Sequence, residues 1–164
     1  MRVINIFFVF LALACGSSLA QTIQVTGSNW NPVISSASVT EAGLDYTSGA
    51  SVQSSSSQST ISLAPGGGFL GYYFGAWRVD VRKVNTNWDN RLKIYARRTS
   101  NGSGFFGGIQ NGTSYQEIQN VDQSFFDGSG YRNNITIQYS ISGFSVLIPV
   151  DTYSTTVMYT LIDL

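Results

Sequence analysis

Histidine does not occur in this chain, cysteine occurs once, as Cys15, and lysine only twice, as Lys83 and Lys93. Without histidine no Ser/His/Asp or Cys/His nucleophile–base pair can be assembled, and zinc or copper sites built on histidine or several cysteines are excluded. A lone cysteine makes no internal disulfide, so the folded domain must rest on its hydrophobic core. Charge is scarce too: 11% of residues are charged, nine basic against nine acidic. That balance lacks the basic excess of a nucleic-acid binder. No catalytic constellation, metal site or cofactor is expected, and the chain is read as non-enzymatic.

The only long apolar run lies at the start. Arg2, the apolar stretch Val3–Ala14 and the small residues Ser18-Leu19-Ala20 have the form of a secretory signal, too short to span a bilayer. The expectation is a signal peptide over 1–20 and one domain over 21–164, secreted to the periplasm or beyond, with no transmembrane span. A rival reading makes Cys15 a lipid-acceptor cysteine and the protein a cell-surface lipoprotein.

After the signal, apolar residues recur at every second position. Ile23 and Val25 alternate with Thr and Gln in Gln21–Thr26, and Val33–Val39 has strand composition. Ser48–Thr60 is rich in Ser and Gln, yet Val52 and then Ile61 and Leu63 make it a strand or meander. Ala64–Gly68 is a loop, followed by a glycine-aromatic segment up to Gly75. Trp77, Val79 and Val81 alternate with Arg78, Asp80 and Arg82; after an Asn-rich loop, Leu92, Ile94 and Ala96 alternate with Arg91, Lys93, Tyr95 and Arg97. Phe105–Tyr131 is broken by Gly and Asn into short pieces. Ile135–Ile141 and Phe144–Ile148 alternate again. The last run places Tyr153, Thr155, Val157, Tyr159 and Leu161 on one face, without a charge between Asp151 and Asp163. No window carries a capped 3.6-residue stripe. The expected fold is all-β, a single antiparallel immunoglobulin-like β-sandwich, with the final strand central or used in assembly.

Three features are candidates for function. If Trp77–Val81 and Leu92–Ala96 pair as a hairpin, Arg78, Arg82, Arg91, Lys93 and Arg97 share one sheet face that could meet an acidic glycan or partner, or simply solvate the sheet. Trp30 and Trp88 in Asn-rich turns, with Tyr72, Tyr73, Phe105, Phe106, Phe125 and Phe126 beside glycine loops, could form a sugar platform or plug the ends of the sandwich. The uncharged terminal strand and the first strand, through Ile23, Val25, Val157, Tyr159 and Leu161, are candidates for strand pairing with another chain. Asp127-Gly128-Ser129-Gly130 lacks the carboxylates of a calcium loop and reads as a turn. Asn101, Asn111 and Asn134 begin glycosylation-acceptor triplets.

The stretch Ile148-Pro149-Val150-Asp151-Thr152-Tyr153-Ser154-Thr155-Thr156-Val157-Met158-Tyr159-Thr160-Leu161 resembles the closing strands of bacterial spore-coat-U-like and archaic chaperone–usher pilin domains. That resemblance implies an exported immunoglobulin-like sandwich completed by a neighbour's strand in a surface fibre. The expectation is therefore a structural or adhesive surface protein, pilin-like, whose partners are copies of itself or other fibre subunits. The alternative is a small secreted carbohydrate-binding module using the exposed aromatics and the basic face, with an acidic or neutral glycan as ligand.

Overall fold

Alternating apolar residues build two antiparallel sheets in the computed structural model, which describes residues 20–33, 51–145 and 147–164. In chain order the elements are β1 (Thr22–Gly27), β2 (Ser51–Gln53), β3 (Ser59–Ala64), α1 (Gly68–Phe74), β4 (Ala76–Asn87), β5 (Lys93–Arg98), β6 (Ile109–Gln110), β7 (Gln116–Glu117), β8 (Gln123–Ser129), β9 (Arg132–Ser142) and β10 (Ser154–Asp163). One sheet runs β1-β3-β9-β5-β7, with β2 joining the edge of β9 that β3 also uses. The other runs β10-β4-β8-β6.

The all-β antiparallel sandwich is thus present. Its pairing is nested: β3 lies on β9, β4 on β8 and β5 on β7, so the chain doubles back around β6. Among the described residues no two strands consecutive in sequence pair with each other. This is the winding of a jelly roll, whereas an immunoglobulin domain keeps sequential hairpins within a sheet.

Side chains from the inner faces meet between the sheets. Trp77, Val79, Val81 and Phe126 come from β4 and β8; Ile61, Leu63, Ile94, Ala96, Ile135 and Ile137 come from β3, β5 and β9. The buried Trp77 indole donates to the Gly130 carbonyl at 2.7 Å, which satisfies its one polar atom. Phe125 and Phe126 are adjacent yet both buried. The β4–β8 register shifts between Val79 and Asp80, leaving Phe125 as the extra residue of a bulge and turning it inward with its neighbour. Neither ring belongs to an exposed platform.

Three sequence expectations need correction. The runs around Trp77 and Leu92 do not form a hairpin: β4 and β5 belong to different sheets, and their apolar sets face one another across the interior. The Trp88–Leu92 connection is long enough to cross the ~10 Å between sheets. It is held as a corner by Leu92 N–H on the Asp89 carbonyl (3.0 Å) and by the Trp88 indole on the Leu92 carbonyl (2.9 Å). Second, the terminal strand is not central. Among the described residues it pairs only with β4, at the end of its sheet's strand order, while β9 holds the centre of the other. Third, the described residues between β9 and β10 do not resume a strand; Ile148 N–H closes a turn onto the Ser145 carbonyl. The signal segment, Cys15 and the Val33–Val39 strand beyond Val33 lie outside the described residues.

Candidate functional site: a sheet edge and an aromatic tip

The basic residues expected on one face are divided between the two outer surfaces. Arg78 and Arg82 project from β4, whereas Lys93 and Arg97 project from β5 in the opposite sheet and Arg91 sits in the corner between them. Each has a partner in its own neighbourhood. Arg78 meets Asp80 at 2.6 Å, Arg82 meets Asp122 at 3.6 Å, Arg91 meets Asp89 at 2.8 Å and Lys93 meets Glu117 at 3.4 Å. Arg97 donates to Gln138 and lies 4.7 Å over the Tyr115 ring. No common basic patch results. The reason is geometric: alternation decides which side of a sheet a residue faces, not which sheet its strand joins.

The two tryptophans are packed as well. Trp30 stacks on Tyr139 with centroids 6.4 Å apart, and Trp88 lies against the core under the Lys83 ammonium at 5.6 Å. They serve as end plugs. The triplet asparagines also have structural positions: Asn111 and Asn134 adopt left-handed φ of 60° and 59°, and the side-chain Oδ1 of Asn101 accepts from the Arg98 guanidinium. Among the described residues no group of three His, Cys, Asp or Glu is placed to hold a metal ion, and no helix is long and apolar enough to cross a membrane. Asp127–Ser129 ends β8 and Gly130, at φ 68°, turns the chain into β9.

Two surface features remain. The first is the outer edge of β10. Ten residues pair with β4 on one side, so about half of the strand's N–H and C=O groups point away from the sheet. Val157, Tyr159 and Leu161, the residues singled out from sequence, turn inward against the core, while Ser154, Thr156, Met158 and Thr160 are exposed. The edge carries no lysine, no proline and no charge before Asp163, the usual devices that discourage pairing. Among the described residues β1 is the corresponding edge of the other sheet; Ile23 packs on the core and Val25 is exposed. At the Gln21 end the two edges approach, with the Gln21 amide beside β10.

A buried hydroxyl chain fixes β10 from within. Tyr159 of β10 bonds Tyr139 of β9 at 2.9 Å, and Tyr139 bonds Ser59 of β3 at 2.8 Å, linking the two sheets. Burial raises the Tyr139 phenol above its ordinary pKa and raises that of Tyr159 further.

The second feature is an aromatic tip where β4 begins and β8 turns into β9. Helix α1 is short and has no buried residue. It is docked through its backbone: Gly130 N–H bonds the Gly75 carbonyl and Tyr131 N–H bonds the Tyr72 carbonyl, both at 2.9 Å. Tyr72 stacks on Tyr131 at 4.7 Å, and Tyr73 sets its edge against Phe69, Phe106 and Tyr131. Phe74 meets Phe106 at 5.0 Å, and Phe105 meets Phe106 at 4.7 Å. Gly107, at φ 76°, lets the Phe105–Phe106 loop lie against Ser129; a Cβ there would come 2.1 Å from the Ser129 carbonyl oxygen. The structure therefore brings together Tyr72, Tyr73, Phe105 and Phe106 from the sequence reading and adds Phe69, Phe74 and Tyr131. The signal for Phe69 and Phe74 was present in the unbroken uncharged stretch from Tyr46 to Trp77, but only the α1 docking joins it to Tyr131 and the later loops. No family model, curated protein or solved structure matches this chain.

Proposed function

We propose that this protein is an exported, non-catalytic structural or adhesive subunit that associates with copies of itself through the edge of β10. The observation that carries the reading is that edge: ten residues long, uncharged from Ser154 to Ile162, free of lysine and proline, and irregular only where its register shifts between Ser154 and Thr155. Antiparallel pairing of two β10 edges about a two-fold axis would join two four-stranded sheets into one continuous sheet and satisfy the outward backbone groups. The resemblance of the terminal strands to pilin-type domains points the same way.

Light scattering coupled to size exclusion tests it, comparing the chain with a Thr156→Lys/Thr160→Lys variant. Both threonines are exposed, so the fold is retained while two like charges oppose each other across a paired edge. The wild type is expected to form concentration-dependent dimers or longer assemblies and the variant to stay monomeric. A wild-type monomer at every concentration, or a variant that associates equally well, refutes the proposal.

A further inference from the structure

We infer that the aromatic tip is a membrane-interface anchor that seats its phenylalanines in the headgroup–acyl boundary of a lipid bilayer. Phe69 and Phe105 are each 73% exposed, Leu70 69%, Phe74 55% and Phe106 43%. These side chains come from two segments, α1 and the loop before Gly107, that are locked side by side at one end of both sheets. They can therefore meet a flat surface together. Behind them stand Tyr72, Tyr73 and Tyr131, only half exposed, so apolar rings lead and amphipathic rings follow, the depth order favoured at a bilayer interface.

Charge and area select this occupant over others. Neither α1 nor Asn101–Gly108 contains a charged side chain. At the base Arg132 is nine-tenths buried and donates to the Phe106 carbonyl at 3.3 Å. With a fully exposed ring worth about 200 Å², the five side chains expose roughly 500–600 Å², less than the ~800 Å² per partner of a stable protein interface. A bilayer sets no such minimum, and a patch of roughly this size is at the upper end for a monomer. Because the contact is apolar, it needs no anionic lipid.

The test is partitioning onto vesicles of pure phosphatidylcholine, at low and high salt, by a chain starting at Gln21. That chain keeps every described element and removes the apolar leader as a competing anchor. It is compared with Phe69→Ser/Phe105→Ser and with Val25→Ser, an exposed apolar position on β1. The wild type and Val25→Ser are expected to bind equally at both salt concentrations. The double variant is expected to lose about tenfold or more in partition coefficient, as when two rings no longer leave water. Absence of wild-type binding, binding only to anionic vesicles and abolished by salt, or equal binding by the double variant each overturns the inference. So does a dimer in solution that disappears in the double variant, since the tip would then be an interface between copies.

Discussion

Replacing Tyr139 by Phe removes a single oxygen from the interior and strands two others. The Ser59 hydroxyl loses its partner at 2.8 Å and the Tyr159 hydroxyl loses its partner at 2.9 Å, the first bond buried and the second partly buried. A buried unsatisfied polar group costs about 1–3 kcal/mol, so the substitution should cost about 2–4 kcal/mol. Tyr159→Phe is milder, about 1 kcal/mol, because Tyr139 keeps its bond to Ser59. The double variant should be no worse than Tyr139→Phe alone, giving a coupling of about 1 kcal/mol or more between the two positions. Urea unfolding at neutral pH measures this cycle, with the slope unchanged and the Tyr139→Phe midpoint lowered by about 1 M or more. Additivity within about 0.3 kcal/mol would show that the two hydroxyls do not depend on one another. The idea that this chain clamps β10 onto the opposite sheet would then fail.

The same pair governs the response to alkali. Burial lifts both phenols above 10.0, Tyr159 further than Tyr139, so the folded state holds these protons more tightly than the unfolded chain. Stability is therefore fully present below about pH 10 and lost as pH rises through the raised values; the melting temperature should fall there more steeply in the wild type than in Tyr139→Phe/Tyr159→Phe, and equal slopes would contradict it. At Gly128 an added Cβ would lie 2.3 Å from the Gly108 carbonyl oxygen and 2.7 Å from the Trp77 ring. Gly128→Ala should cost about 2–3 kcal/mol, or roughly 5–10 °C in Tm. Gly108→Ala, where nothing lies within 4 Å, should change Tm little; a calorimetric scan in which the two variants behave alike would sink that reading.

The period-two alternation was enough to make the fold all-β and antiparallel and to identify much of its interior: Trp77, Val79, Val81, Ile94, Ile135 and Ile137 are all buried as their positions implied. It also located β1, placed strands in the Ser-rich segment before Ile61, and marked the scarcity of charge that leaves β10 unguarded. It could not say which strand lies beside which. Trp77 and Ile94 alternate in the same way whether their strands share a sheet or face each other across one, because side-chain period records inside and outside only. The corner at Trp88–Leu92 decides that, and with it the dispersal of the five basic residues. Nor could composition distinguish a strand buried on both sides from an edge. β10 reads as more apolar than β9, yet β9 is central, with β2 and β3 on one side and β5 on the other, while β10 has a neighbour on one side only among the described residues. The aromatic tip belongs wholly to the tertiary structure. Its rings lie on segments some thirty residues apart, from Phe74 to Phe105. They are gathered by glycine-permitted backbone contacts at the β8–β9 turn, which hydrophobic patterning does not encode.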